Sequence, residues 1–317
     1  MADPERQIVV AIDSGGSTTR VACIDRHADV VGRAVGGAGS PEHSSTSEAA
    51  VRSTLAQALA DAGRSTGDVV ALVAGMAGLN VESDQKWATD HTHLAGLTKS
   101  RTHLNDSTIA HVGAFLGEPG VLVIAGTGSI MLGIDRHGRQ HRNDQLHHYA
   151  GAARHIAYDV VHHLLVGDGA DDELLPLALQ HWKVASVDEL RAAVEAPYEI
   201  ETVKRSFGTF APAITSRVDT SSLARNAVAA LARRTAFGIR LVGAPLGTPV
   251  MWSGAGSLAT DGAFIDAVER ELARVHADYR HTPAAMSPLG GAILLALRSA
   301  GWETSGTVAA LISAFSD

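Results

Sequence analysis

The feature that most constrains this chain is a strand–turn–strand unit that it uses twice. Residues 7–12, Gln-Ile-Val-Val-Ala-Ile, make an apolar run the length of a buried strand. A Gly/Ser/Thr turn at 14–19 breaks it, and Arg20-Val-Ala-Cys-Ile-Asp25 reads as the returning strand. The arrangement restarts at Gly120-Val-Leu-Val-Ile-Ala125, with the turn Gly126-Thr-Gly-Ser129 and the return Ile130-Met-Leu-Gly-Ile-Asp135. Both hairpins close on Asp-Arg-His, at 25–27 and 135–137, which points to a duplicated fold. A third strand at 30–35 continues the first hairpin as a β-meander, whereas a Rossmann unit would send a helix directly from its glycines.

Further strands are predicted at 69–74, 101–106 and 248–252. Helical periodicity is predicted over 46–63, 151–165, 172–182, 187–195, 200–217, 222–243 and 262–276, and Pro288 opens a last apolar helix through Leu297. The expectation is an α/β chain in two halves, 1–112 and 113–297. At 317 residues there is room for two cores, and with aromatics at only 4% these must be built from Ala, Val, Leu and Ile.

Composition excludes several classes of partner. The formal net charge is -8 and no block of Lys or Arg stands out, which argues against nucleic acid and anionic membrane surfaces. The one cysteine, Cys23, allows no disulfide framework and no Cys-ligated zinc or cluster within the chain. Uncharged stretches at 119–134, 241–260 and 282–297 are interrupted by Gly or Pro, so none reads as a membrane span. Residues 1–6 are polar and carry no signal pattern, so a soluble, cytoplasmic protein is expected.

Phosphate is held by several backbone N–H groups converging on one point, which glycine permits by removing the Cβ. Three glycine-rich turns each follow an apolar strand, at 14–18, 126–129 and 253–257. One such turn alone is more simply a hairpin; three favour phosphate binding. No Walker-type pattern and no Gly-x-Gly-x-x-Gly opening a helix occurs at them. Asp13, where the first strand meets its turn, suits a hydrated Mg²⁺ beside phosphates. Asp106, at the end of the 101–106 strand, fits either a helix N-cap or a base that takes a proton from an attacking hydroxyl. The residues alone do not choose between these.

In this order, Asp13-Ser-Gly-Gly-Ser-Thr-Thr, Leu104-Asn-Asp-Ser, Val123-Ile-Ala-Gly-Thr-Gly-Ser, Trp252-Ser-Gly-Ala-Gly-Ser and Ser287-Pro-Leu-Gly-Gly-Ala resemble the BadF/BadG/BcrA/BcrD-type ATPase family. That family includes N-acetylglucosamine kinases and belongs to the sugar kinase/Hsp70/actin superfamily. The resemblance runs from about residue 7 to 298. It implies two RNase H-like (actin-like ATPase) domains with ATP in the cleft between them, and residues 298–317 returning to the first domain. Ser14, Gly15, Gly16, Ser17 and Thr18 would bind phosphate, with Mg²⁺ held by Asp13. Gly126, Thr127, Gly128 and Ser129 would hold phosphate from the other side. Gly254, Ala255, Gly256 and Ser257 would adjoin adenosine, and Asp106 would match the catalytic base. A homodimer is usual for the kinases it resembles.

The chain departs from the family at the acceptor. Its sugar kinases carry Gly-Gly-Trp-Gly and then Gly-Asp-Glu-Gly-Ser after the second phosphate turn. Here residues 142–153 read Arg-Asn-Asp-Gln-Leu-His-His-Tyr-Ala-Gly-Ala-Ala, with Tyr149 and Ala150 in place of Asp-Glu. Gly36-Gly-Ala-Gly-Ser40 replaces a frequent Asn, and Ile130 replaces a polar residue. A pocket built to hydrogen-bond one sugar discriminates through those groups, so N-acetylglucosamine is not the expected acceptor. Ser40, Asn105, Asp144, His148 and Tyr149 are the expected acceptor contacts.

Seven of the 16 histidines fall within 137–163, and His155, Asp159 and His162 or His163 share a helical face. A solvated or acceptor-contacting helix is the favoured expectation over a metal site. Residues 167–173, Gly-Asp-Gly-Ala-Asp-Asp-Glu, lack EF-hand spacing and read as a turn before a helix. The expected activity is ATP- and Mg²⁺-dependent phosphotransfer to a hydroxyl of a sugar-like small molecule. The competing expectation is a nucleotide-gated binding or regulatory protein that has lost transfer. The family's iron–sulfur activators need paired cysteines, which this chain lacks.

Overall fold

A computed structural model describes residues 3–316 except 43, 81–83, 127, 168–172, 196–198, 277 and 304, and the side chain of Glu201. The 167–173 turn therefore lies largely outside the described residues, as does Thr127.

Ile8–Ser14 (β1), Thr19–Asp25 (β2), Val30–Gly36 (β3), Val69–Met76 (β4) and Arg101–Asn105 (β5) form one sheet in the order β3-β2-β1-β4-β5. β1, β2 and β3 run antiparallel in sequence, while β4 and β5 run parallel to β1. Gly120–Ala125 (β6), Ser129–Ile134 (β7), Gln140–Arg142 (β8), Val250–Ala255 (β9) and Tyr279–His281 (β10) form the second sheet, β10-β9-β6-β7-β8. Read from the other edge this is the same order with the same pairing senses. The duplication extends to atomic detail. Asp25 Oδ1 accepts from the N–H groups of His27 at 2.8 Å and Asp29 at 3.0 Å, and Asp135 Oδ1 from those of His137 at 2.8 Å and Arg139 at 3.0 Å. Both Asp-Arg-His corners are Asx-type turns, in which a short carboxylate satisfies the turn's own donors.

β1 is apolar throughout because both of its faces are covered. Val9 and Ala11 join one cluster with Ile109, Ala292 and Ile293, while Ile8, Val10 and Ile12 join another with Val51 and Leu55. Each such burial contributes about 1.5–3 kcal/mol, and a polar residue in this run would break a core.

The helices are Ser47–Asp61 (α1), Gln85–His91 (α2), Asp106–Phe115 (α3), Ala153–Val166 (α4), Leu174–Trp182 (α5), Val187–Glu195 (α6), Ile200–Thr215 (α7), Ser222–Gly243 (α8), Gly262–Arg274 (α9), Pro288–Ala300 (α10) and Ser305–Phe315 (α11). α4 to α8 all lie between β8 and β9, where α1 alone connects β3 to β4. The long helices are close to their predicted spans; α2, α11 and the three-residue strands β8 and β10 escaped the periodicity.

The chain divides into two compact units, Met1–Glu118 with Ala284–Asp317, and Pro119–Pro283. The division expected at 112/113 would cut through α3, and the return to the first unit begins at 284, ahead of 298. The reason is α10, whose apolar face packs on α3, β1 and β4. A Cβ at Gly291 would lie 2.0 Å from the Ile109 carbonyl oxygen, and one at Gly113 would lie 2.5 Å from that of Ser287. The Gly-Gly of the Ser287-Pro-Leu-Gly-Gly motif is thus a close helix–helix contact, and it anchors the helix that carries Asp106.

Candidate active site

In the first unit, β1, β4 and β5 end in register. Asp13 pairs with Gly75 and Gly75 with Leu104; Ser14 pairs with Met76 and Met76 with Asn105. Carboxyl ends of parallel strands are where open α/β sheets bind ligands. Beyond Ser14 the turn is pinned from three sides. Gly15 N–H donates to Thr18 O at 2.9 Å, Gly39 N–H to Gly15 O at 3.1 Å and Ala77 N–H to Ser14 O at 2.8 Å. The N–H groups of Gly16, Ser17 and Thr18 have no acceptor among the described residues, which leaves a cluster of donors at the tip. The Ser14 hydroxyl is buried against Thr19 Oγ1 at 3.2 Å, so Ser14 braces the turn.

Asp13 is half-buried, 3.3 Å from the Arg20 guanidinium. Burial raises its pKa to about 6 against the opposing pull of Arg20, and the negative charge of Asp106 raises it further. Asp13 and Asp106 are therefore close enough to feel each other's charge. Asp106 is the first residue of α3, and the N-cap is Asn105, in extended conformation, its Oδ1 accepting from the Ser107 N–H at 3.0 Å. Asp106 Oδ1 shares that Ser107 N–H at 2.9 Å, and the N-cap position belongs to Asn105. Its Nδ2 donates to Leu79 O at 3.1 Å and Asn80 Oδ1 at 3.2 Å. Asn105 therefore positions its neighbour. Ser40 is fully buried beside Gly78, and its Oγ has no hydrogen-bond partner among the described residues.

In the second unit, the two glycine turns meet. Leu258 and Ala259 donate their N–H groups to Ala125 O at 3.0 and 3.2 Å, and Ala153, opening α4, donates to Gly126 O at 3.1 Å. Gly256 has φ +84°, and a Cβ there would lie 2.9 Å from Ala125 O, so both conformation and space require glycine. Gly254 and Ala255 belong to β9, so the third turn starts at Gly256, later than the 253–257 expected; Ser129 likewise starts β7. Trp252 of that motif is a core residue whose Nε1 donates to Glu269 at 2.7 Å. A shallow depression beside Ser257 is lined also by Ala153, Pro212, Thr215, Leu258 and Asp261, with Thr215 Oγ1 donating to Asp261 Oδ2 at 2.8 Å.

The other expected acceptor residues of this unit differ in kind. Asp144 is exposed and held by Arg142 at 2.8 Å. His148 turns into α8, where Gly238 leaves it room, and its ring lies 5.6 Å from that of Phe237. Tyr149 is 48% exposed, and its hydroxyl contacts His155 Nε2. His155 Nδ1 in turn accepts the Ala152 N–H at 2.8 Å. Among the described residues no group of three or more His, Cys, Asp or Glu is placed to hold a metal, and no helix is long and apolar enough to cross a membrane. Arg20, Gly39, Ala77 and Gly78 complete the first unit's site. The sequence signalled them weakly, because they become neighbours of Asp13 only through sheet pairing and loop closure.

Two sheets of this order, each with its turn between the first two strands, define an actin-like ATPase fold of the kind used by sugar kinases. A candidate N-acetylglucosamine kinase from Chromobacterium violaceum matches at a TM-score of 0.69 and 19% identity, over 91% of this chain and 98% of that one. One from Porphyromonas gingivalis matches at 0.66 and 16% identity, over 91% and 98%. A ROK family glucokinase from Streptomyces griseus, in complex with glucose and AMPPNP, matches at 0.57 and 15% identity, over 91% and 98%. No curated protein matches the chain. The sequence pattern of the BadF/BadG/BcrA/BcrD ATPase family matches residues 10–296, and the chain belongs to that family.

Proposed function

We propose that this protein is an ATP-dependent kinase that transfers the γ-phosphate to a hydroxyl of a sugar-like small molecule, with Asp106 as the general base. The observation that carries this is the placement of Asp13 and Asp106 at the carboxyl ends of β1 and β5 in one sheet, beside a turn with N–H groups to spare. Two carboxylates in electrostatic contact, one pushed up to about 6 by burial, are a poor arrangement for a folded protein alone and a good one around a cation. The donor set therefore fits Mg²⁺ and a nucleotide phosphate. When bound, Mg²⁺ supplies positive charge against the phosphate oxygens.

The residues divide the work. Asp13 holds the cation, and the N–H groups of Gly16, Ser17 and Thr18 bind phosphate oxygens. Asp106, whose Oδ1 is oriented by the Ser107 N–H at 2.9 Å, accepts the proton of the acceptor hydroxyl. Ser40, with its unpartnered buried hydroxyl, supplies a hydrogen bond to the acceptor. In the second unit, Gly126 and Gly128 contact phosphate, and the turn at Gly256 and Ser257 adjoins adenosine. The relatives named as sugar kinases support a sugar or sugar-like acceptor. Asp106→Asn should abolish ADP formation across amino sugars, neutral sugars, cyclitols and nucleosides while MgATP still raises the melting temperature; undiminished turnover would exclude Asp106 as base. An ATP-induced shift with no acceptor consumed in the wild-type protein would favour a nucleotide-gated binding protein.

A further inference from the structure

Within the first unit, segments 13–18, 36–42, 76–80 and 104–107 are tied together at the carboxyl ends of β1, β4 and β5. Gly39 N–H donates to Gly15 O at 3.1 Å, Ala77 N–H to Ser14 O at 2.8 Å and Asn105 Nδ2 to Leu79 O at 3.1 Å. These segments carry Asp13, Glu42 and Asp106 and no Lys, Arg or His. Arg20, from β2, is engaged by Asp13 at 3.3 Å. Ser44 N–H donates to Ser40 O at 3.1 Å, closing the turn that presents Glu42. Glu42 is exposed and makes no hydrogen bond or ion pair among the described residues. Gly78 has φ +87°, and a Cβ there would lie 3.1 Å from Ser40 Oγ and 3.3 Å from Glu42 Cδ. Glycine thus leaves a notch that a hydroxyl and a carboxylate both face. Ser40 is fully buried and its Oγ has no partner among the described residues, an unfavourable state that a ligand group in the notch would relieve.

Resting on the kinase reading above, we infer that the acceptor carries a free ammonium group, as an amino sugar or aminocyclitol does, and that Glu42 and Ser40 bind it beside Gly78. An ammonium has only donors, and the notch offers it a carboxylate and a hydroxyl oxygen as acceptors. The bond to Glu42 is charge-assisted at both ends, which strengthens it over one to a neutral hydroxyl. With Asp13 on the cation, Glu42 and Asp106 leave the acceptor's surroundings negative, and a cationic acceptor answers that charge where a neutral sugar does not. An acetamido group would instead turn a carbonyl oxygen or a methyl towards Glu42. Glu42 is therefore the residue that sets specificity, through the one charge on the 36–42 loop.

The test pairs amines with neutral analogues in the full-length protein: glucosamine, galactosamine and 2-deoxystreptamine against glucose, N-acetylglucosamine and myo-inositol. ADP formation with MgATP should favour an amine, and Glu42→Gln should raise the KM for that amine by about tenfold. The KM for ATP and the melting temperature should not move, because Glu42 is exposed and holds nothing else in place. The wild-type KM for the amine should also rise between about pH 7 and 9 as the amine loses its proton, and this rise should be absent in Glu42→Gln. Calorimetric binding of the same six probes, with a non-hydrolysable ATP analogue present, separates this inference from the kinase reading. Binding of an amine that Glu42→Gln weakens supports the site even if no ADP forms, in which case transfer alone is refuted. Equal or better use of the neutral probes, an amine KM indifferent to Glu42→Gln, or binding of none of the three amines overturns the inference.

Discussion

Replacing Asp13 by Asn should stabilise the free protein while removing its response to MgATP. A carboxyl held near pH 6 in the folded chain, against 3.8 when unfolded, carries about 3 kcal/mol of unfavourable folding energy at neutral pH. The sign follows from proton binding. Between pH 3.8 and 6 the folded state holds the proton more tightly, so this cost is full above pH 6 and fades as pH falls towards 3.8. Asn removes the cost, from which the opposing pull of Arg20 is already subtracted in the pKa of about 6. The net expectation is a gain of up to about 3 kcal/mol at pH 7.5, a rise in Tm of several degrees, shrinking to under about 1 kcal/mol at pH 4. The assay is thermal unfolding of both proteins from pH 4 to 8, with and without MgATP. In the wild-type protein the MgATP-induced shift should weaken below pH 6 as Asp13 takes up a proton, and in Asp13→Asn it should be small throughout. A variant less stable than wild type at pH 7.5, or one that keeps the full MgATP response, would refute the assignment of Asp13 as a buried cation ligand.

Three further outcomes follow from the geometry. Asn105→Ala should cost about 0.5–2 kcal/mol through the lost cap and lower kcat, because Asp106 loses its anchor; unfolding curves and turnover read the two effects separately. Gly256→Ala should cost about 1–3 kcal/mol from φ +84° alone, and more from the contact with Ala125 O, and should weaken ATP binding measured by calorimetry. Gly291→Ala should cost at least about 1–3 kcal/mol by forcing α10 off the Ile109 carbonyl, measured by denaturant unfolding, although Gly291 touches no proposed ligand.

Much of the fold was legible because its signals are local. The apolar runs of β1 and β6 and the long periodic helices α4 and α7 to α9 announce themselves along the chain. The Asp-Arg-His echo marked the duplication before any pairing was known, and both corners proved to be the same Asx turn. The elements that escaped are the ones sequence periodicity cannot reach: β8 and β10 are three residues long, shorter than a period-2 pattern needs. The return of α10 is equally nonlocal, set by how closely Gly113 and Gly291 let two helices approach. At the site, the places of Asp13 and the glycine turns at strand ends were readable from the apolar runs before them. Which of Asn105 and Asp106 caps α3 was not, since either residue caps a helix in isolation and only the backbone places Asn105 at the N-cap.

The most direct test of the account is stoichiometric. The full-length protein, MgATP and an acceptor identified from the screen should yield one ADP for each phosphorylated acceptor, detected by mass spectrometry, and Asp106→Asn should yield neither product while still binding MgATP. Release of inorganic phosphate without a phosphorylated acceptor, or transfer that persists in Asp106→Asn, would contradict it.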